Sequence, residues 1–237
     1  MKSVFKDTDE QKLLLDFFKD KSNGIYIDVG GNIPENSVSS VFHSLGWSGL
    51  IIEPIPLNVD QFIKEGRTNI WQGAVTSPVK AQNGCAIFHL AGGENGPHSS
   101  LDESSISFSS KITTTISVAL STVNILAKNN NIYHIDLLSI DTEGTEGTEV
   151  DVLLGTDLKK LSPKLILVED WARDFSIHKY LISQNYKLVR RTGFNSWYID
   201  KSDIFHISIF GYMQLFKKYI LGMPGRKLRH WRHKKKS

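Results

Sequence analysis

Cysteine is nearly missing from this chain of 237 residues: only Cys85 is present. No disulfide can close within the chain, and a cysteine-rich zinc site is excluded with it. Glycine and proline recur with no period and no heptads persist, which rules out collagen-like and coiled-coil chains. No apolar run approaches the roughly 18 residues that a bilayer-spanning helix needs. The opening MKSVFKDTDEQK has no apolar core behind a basic stub, so no secretory leader is expected and a reducing cytoplasm is the expected compartment. Acid is missing from the end of the chain. No Asp or Glu follows Asp203, whereas nine basic residues do: Lys217, Lys218, Arg226, Lys227, Arg229, Arg232, Lys234, Lys235 and Lys236. The whole chain carries +3, so residues 1–203 carry a net −6. An acidic body with a basic end suits a partner such as anionic lipid or nucleic acid.

What is present describes a globular domain. Hydrophobic residues make up 40% and charged residues 22%, enough apolar content to exclude wholesale disorder. The length corresponds to one domain with a short appendage. Apolar spacing predicts a helix around 13–18, a buried strand at 25–29 and a helix over 37–46. A strand at 48–54, a helix over 56–66 and a strand at 69–75 follow. The rhythm breaks over 76–115, where 85–90 reads as an extra strand and AGGENGPHSSLDESS as a polar loop. It resumes with a helix near 120–128, a strand at 135–140, a short helix at 149–154, a strand at 164–169 and a helix near 177–184. YKLVRR and SWYID close the body as a tight antiparallel pair. Strand–helix alternation of this kind predicts an α/β fold: a mostly parallel, doubly wound sheet of seven main strands ending in an antiparallel hairpin.

Chemistry concentrates at predicted strand ends. Asp28-Val-Gly30-Gly31-Asn32 follows the first strand directly. Glycines there permit a sharp turn and leave room for a ligand, and Asp28 or Asn32 can hydrogen-bond it; the plain alternative is a strand-to-helix turn. Glu53 ends the second strand, 23 residues after Gly30, where a carboxylate can grip both hydroxyls of a ribose. The dinucleotide pattern G-x-G-x-x-G is absent, and an acid inside the loop disfavours a pyrophosphate. An acidic loop next to a ribose acid suits a cofactor with a cationic amino-acid moiety, S-adenosylmethionine.

Asp141 and Glu143 lie at the end of the fourth core strand. There they can bind a hydroxyl, act as general base or hold a divalent cation, or simply cap the next helix. Glu169-Asp170-Trp171 ends the next strand, where carboxylates and an indole suit a sugar edge or a packed loop. His98, in the one long polar loop, is a candidate base and the best of the histidines.

The runs IYIDVGGNIPENS, LIIEPIP, IDLLSIDTEGTE…VDVLLG and KLILVED together resemble the FkbM-type methyltransferases, over about residues 25–170. That resemblance implies a Rossmann-like class I methyltransferase domain over 1–203, dependent on S-adenosylmethionine and directed at a sugar hydroxyl, the acceptor being a saccharide of a surface glycan or glycolipid precursor. It implies cofactor contacts from Asp28, Gly30, Gly31, Asn32 and Glu53. Asp141 and Glu143 match the family's fourth-strand acids, and Glu146 and Glu149 compete for its last acid. Two other functions fit the sequence: an RNA methyltransferase using the basic end, and a non-catalytic, membrane-tethered nucleotide- or sugar-binding module. Residues 204–237 lie outside the resemblance. IFHISIFGYMQLFKKYILGM, followed by RKLRHWRHKKK, fits a helix lying on the anionic inner face of a membrane, or one packed on the domain ahead of a solvated end.

Overall fold

The structure, a computed structural model, describes residues 8–19, 21–101, 103, 106, 112–142, 148–172 and 174–234, with side chains at 8–9 and 229–234 excepted. Helix α1 (Thr8–Phe18) precedes β1 (Ile25–Val29), α2 (Val38–Ser44), β2 (Ser48–Glu53), α3 (Pro56–Lys64) and β3 (Ile70–Gln72). The chain then leaves the main sheet as β4 (Ala74–Val75), α4 (Pro78–Ala81), β5 (Cys85–Ala91) and β6 (Ile112–Ser121). It returns through α5 (Val123–Asn129), β7 (Leu137–Ile140), α6 (Thr148–Leu154), α7 (Leu158–Leu161) and β8 (Leu165–Glu169). Helix α8 (Ser176–Ser183) leads to the hairpin β9 (Tyr186–Thr192) and β10 (Asn195–Asp200). The end of the chain is helical: α9 (Ile209–Phe216), a π-helical turn over Lys217–Leu221, and α10 (Met223–Lys234).

Seven strands form the main sheet in the order β3-β2-β1-β7-β8-β10-β9. The first five run parallel, and β10 lies antiparallel between β8 and β9. The doubly wound sheet with a terminal hairpin is thus the fold that the residue pattern predicts. Successive side chains on a strand point to opposite faces, and both faces are covered. Ile27, Val29, Leu50, Ile52, Leu138, Ile140, Ile166 and Val168 join one core with residues of α5, α6, α7 and α8. Tyr26, Ile51, Leu137, Leu165, Leu167 and Trp197 join the other with Leu14, Phe18, Phe42 and Phe62 of α1, α2 and α3. This is why β1, β2, β7 and β8 read as nearly continuous apolar runs, interrupted within the strands by Asp28 and Ser139.

The chain winds outward from β1 to β3, then restarts at β7 on the other side of β1. A crevice opens at such a reversal, outside the carboxyl ends of the strands. Here those ends are Gly30 and Asp141, with the Asp141 amide donating to the Val29 carbonyl at 2.9 Å.

The region between β3 and α5 departs from the expected pattern in two places. Residues 69–75 break at Gly73, and Ala74–Val75 pairs with β6 instead of continuing the main sheet. Residues 112–121, left as loop and helix start by apolar spacing, form the longest strand, β6, antiparallel to β5 from Cys85↔Ala119 to Ala91↔Ile112. Its Thr/Ser-rich sequence ITTTISVALS buries only one face, where Val118 packs with Phe88, Ala74 and Ile55. Helix α5 accordingly starts later, capped by the Thr122 hydroxyl, which accepts from the Ile125 amide at 3.2 Å.

This excursion is locked to the body at Gly155, just past α6. A Cβ on Gly155 would stand 2.3 Å from the Thr76 carbonyl oxygen, so the backbones approach too closely for any side chain. Gly155→Ala should therefore destabilise the fold by about 1–3 kcal/mol, as overpacking does. Urea denaturation checks this, and an unchanged midpoint would show that the junction yields freely.

Candidate functional site

A cavity of about 420 Å³ opens at the carboxyl ends of β1, β2 and β7 and runs under the β4–β6 excursion. Its walls include Gly30, Asn32, Glu53, Ile55, Phe88, Leu101, Asp141 and Thr142. The main sheet supplies the polar end, and Ala86, Phe88, Leu101 and Leu120 supply an apolar wall. Lys80 and Asp151, also in the wall, form an ion pair at 2.5 Å that ties α4 to α6.

Glu53 is the hub of the polar end. Its Oε2 accepts from the Asn32 amide at 2.8 Å, and its Oε1 accepts from the Ile55 amide at 2.9 Å and Asn58 Nδ2 at 3.2 Å. Burial nevertheless pushes its pKa up to about 7 against the pull of these donors. Asn58 also donates to the Asn95 carbonyl at 3.0 Å, as Asn32 Nδ2 does at 3.3 Å, and Gln61 donates to the Asn95 side chain at 3.1 Å. One buried carboxylate thus connects the turn after β1, the start of α3 and the polar loop after β5. Sequence reasoning missed Asn58 and Asn95. A polar residue on the buried face of α3, beside Val59 and Phe62, is the one signal that marks Asn58.

The glycine turn divides its work. Gly30 adopts φ +80°, and a Cβ there would stand 1.7 Å from the Asp141 carbonyl oxygen, so glycine is required by both conformation and space. Asn32 also lies in the left-handed region, at φ 53°, which asparagine tolerates better than most residues. Gly31 is outside the cavity wall. A Cβ there would meet Ile51 at 2.7 Å and Phe62 at 3.3 Å, so it faces the core and a larger residue would displace core packing.

Asp28 too is turned away from the cavity. It shares a face of β1 with Tyr26, and Oδ2 accepts from the Ser37 hydroxyl at 2.6 Å and the Ser39 amide at 3.3 Å, at the start of α2. Behind this knot the buried Arg67 donates to Tyr26 and, at 3.0 Å, to Ser39. Of the five expected cofactor contacts, then, Gly30, Asn32 and Glu53 line the cavity, while Asp28 and Gly31 support the turn from behind.

Among the expected catalytic residues, Asp141 stands in the cavity wall. Its carboxyl interacts with the side chain of Glu169, the end of the neighbouring strand β8. Asp141 Oδ1 is buried with no hydrogen-bond partner. Burial raises its pKa to about 6, opposed by the Glu169 interaction and reinforced by the negative charges of Asp28 and Glu10. Glu10 reaches this cluster from α1 and is anchored there by Thr192 and, at 2.8 Å, by Asn195 of the hairpin.

Glu143 and Glu146 lie outside the described residues. Glu149 is buried at the start of α6, where it accepts from the Thr142 hydroxyl at 3.3 Å, and burial pushes its pKa up to about 7. His98 is exposed on the polar loop beside Gly92 and is outside the cavity wall. Asp170 is committed to structure, paired with Arg191 at 3.8 Å and accepting from the Ala172 amide at 2.6 Å. Trp171 packs on the exposed Phe194 with ring centroids 4.4 Å apart. Among the described residues no three His, Cys, Asp or Glu side chains are placed to hold a metal ion.

A central parallel sheet reversed between β1 and β7, a terminal hairpin inserted in reverse order, and a ligand cavity at the reversal define the class I methyltransferase fold. Residues 28–188 match the family model of the methyltransferase FkbM domain, and the chain belongs to that family. Among solved structures it is similar to a methyltransferase FkbM from Methylobacillus flagellatus KT, with 12% identity and a TM-score of 0.47. That match covers 75% of this chain but only 43% of the other. It is also similar to a precorrin-6Y C5,15-methyltransferase from Geobacter metallireducens GS-15 (11% identity, TM-score 0.44, 84% of this chain and 91% of that one). The C-terminal domain of the Rhodobacter capsulatus precorrin-6Y C5,15-methyltransferase matches at 12% identity and a TM-score of 0.37, over 80% of this chain and 82% of that one. Curated proteins give no match.

The raised carboxyls set a pH dependence. Glu53 and Glu149 at about 7 and Asp141 at about 6 hold protons in the folded chain that the unfolded chain releases near about pH 4. The folded state binds more protons between these values. The stability these three groups contribute is therefore full below about pH 4 and is lost as pH rises through 6 to 7. Urea midpoints should fall between about pH 5 and about pH 8, and Glu53→Gln should flatten that fall by up to about 3 kcal/mol. A midpoint that rises over this interval would show that the ionised carboxyls are the stabilised forms.

Proposed function

We propose that the cavity binds S-adenosylmethionine and that the enzyme transfers its methyl group to a hydroxyl of a saccharide acceptor. The observation that carries this reading is the convergence of Gly30, Glu53 and Asp141 in the wall of one cavity at the strand reversal, where Asp141 also keeps a buried Oδ1 that no protein group partners. A buried carboxylate oxygen without a protein donor is matched by a cationic or hydroxyl-bearing ligand. Glu53 lines the cavity with one acceptor position left by its three donors, and ionised it takes a ribose hydroxyl. The apolar wall of Phe88, Leu101 and Leu120 suits the flat adenine ring, and the open turn at Gly30 admits the amino-acid end.

When bound, S-adenosylmethionine supplies an electrophilic methyl carbon on a sulfonium and leaves as a neutral thioether. Transfer would replace that carbon–sulfur bond, its electron pair going to sulfur, by a carbon–oxygen bond, and would leave the hydroxyl proton to be taken up. In this reading Asp141, in the cavity wall and in contact with Glu169, takes it. A carboxyl with a pKa of about 6 is ionised at neutral pH yet still basic enough to accept a proton in transit. The rest of the chain's contribution is alignment and exclusion of water, for which the polar loop pinned through Asn95 forms the cover. The saccharide is favoured by the Trp171–Phe194 platform two residues beyond Glu169, since apolar sugar faces stack on aromatic rings.

S-adenosylhomocysteine at 100 times its dissociation constant should stabilise the protein by about 2.7 kcal/mol, read as a thermal shift. Glu53→Gln should cost about 1–3 kcal/mol of that binding. Asp141→Asn should retain most of it while losing transfer of radiolabelled methyl groups from S-adenosylmethionine into a carbohydrate fraction. Wild-type binding by the Glu53 variant would overturn the ribose assignment. Unchanged transfer by the Asp141 variant would remove it as proton acceptor.

A further inference from the structure

We infer that the helical end of the chain docks this protein on an anionic membrane surface through the exposed face of α9 and the π-helical turn. The segment is bolted to the body along one side only. Tyr219 and Met223 are buried, with the Tyr219 ring 5.9 Å from Phe175 and 5.5 Å from His178. Arg226 donates to the Ala172 carbonyl at 2.9 Å and to the Tyr219 carbonyl at 2.6 Å. The π turn, closed by the Gly222 amide on the Lys217 carbonyl at 3.1 Å, adds the residue that brings Tyr219 onto this inner side.

The opposite side is bare. Ile209 is 83% exposed, Phe210 67% and Met213 64%, and Tyr212, Phe216, Ile220 and Leu221 are exposed with them. Soluble monomers rarely leave so many large apolar side chains together on one helix. Lys217 and Lys218 flank this face and are exposed, and the following residues add only positive charge.

Charge selects the occupant. A second copy docking through the same face by a two-fold axis would bring two clusters of nine basic residues together, with no acid after Asp203 to offset them. Nucleic acid would answer the cations but gives Ile209, Met213 and Leu221 nothing to bury against. An anionic leaflet answers both at once: its headgroups take the cations, and the acyl boundary takes the apolar side chains. No helix among the described residues is long and apolar enough to cross a membrane, so the contact lies on the surface. This docking stands apart from the cofactor and acceptor assignments and can hold or fail without them.

The test is co-sedimentation of the full chain with vesicles of phosphatidylcholine alone and of an equimolar phosphatidylcholine–phosphatidylglycerol mixture. Wild type should pellet with the anionic vesicles at low salt, release at high salt, and stay soluble with the neutral ones. Lys217→Gln and Lys218→Gln should each weaken partitioning about five-fold. Phe210→Gln and Met213→Gln should each weaken it roughly tenfold. All four side chains are exposed, and a cooperative melt confirms that each variant is folded. Wild type left in the supernatant at low salt would overturn the proposal. So would pelleting that ignores both pairs of substitutions, a dimer in light scattering that Phe210→Gln dissolves, or binding to an RNA homopolymer in place of vesicles.

Discussion

A single buried carboxylate, Glu53, holds together the three segments that make the cavity. Its oxygens collect the Asn32 amide from the turn after β1, the Ile55 amide from the start of α3, and Asn58, which in turn holds the loop after β5 through the Asn95 carbonyl. None of these segments has a regular strand or helix partner at this point, so their backbone donors would otherwise be stranded. The arrangement explains why an acid must end β2 even before any ligand arrives. It also explains a conflict built into the site: the donors favour an ion, whereas burial favours the neutral acid and raises the pKa to about 7. A ligand hydroxyl adds a fourth donor and tips the balance toward the ion. Binding and deprotonation of Glu53 are then linked.

The same conflict recurs around the strand reversal. Asp141 and Glu149 are pushed up by burial, and Asp28 and Glu10 add negative charge to the neighbourhood. The buried cations are placed elsewhere: Arg67 lies behind the turn against Tyr26, and Arg191 serves Asp170 and Ser196 at the hairpin. Among the described residues Lys80, the cation in the cavity wall, is taken by Asp151, and an end of the sheet so crowded with acids is costly to the empty protein. A cationic ligand relieves that cost, and the surrounding helices keep water from doing so first. Stability given up at such a site is the usual accompaniment of a preorganised electrostatic environment.

Most of the central sheet is legible in the sequence because both of its faces are buried. The runs IYIDV, LIIE, LLSI and LILVE have no polar face to disguise them, and the helices between them carry one apolar stripe each. Strand β6 is not legible in that way. It exposes most of its threonines, and what makes it a strand is pairing with β5, a contact between distant segments. The site divides similarly. Gly30, Glu53 and Asp141 are found by position, because a strand end at a reversal is where a ligand must sit. Asn95 and Glu10 are placed by hydrogen bonds across 34 to 185 positions of sequence separation, and Asn58 reaches Asn95 across 37, which no local pattern records. Asp28 and Gly31 show the limit of motif reading. Strand alternation puts Asp28 on the side of Tyr26, under α2, so its partners are Ser37 and Ser39, and the missing side chain of Gly31 makes room for Ile51 and Phe62.

The charge asymmetry of the chain acquires a geometric meaning once the end of the chain is seen to pack on the body. Arg226 is fixed to the Ala172 carbonyl, three residues beyond Glu169, and Arg191 joins Asp170 to the same neighbourhood. The basic helix is therefore anchored beside the carboxyl end of β8, where Asp141 and Glu169 meet. A body of net −6 is repelled by an anionic leaflet while the end of the chain is attracted to it. In the proposed docking the two forces act at different points of the protein and so produce a torque as well as a net attraction. A docked protein is thereby oriented, with the anchor edge down and the acidic bulk away from the lipid. An acceptor carried on a lipid would meet an oriented site at high local concentration, and rate would be gained without any added contact at the reacting atoms.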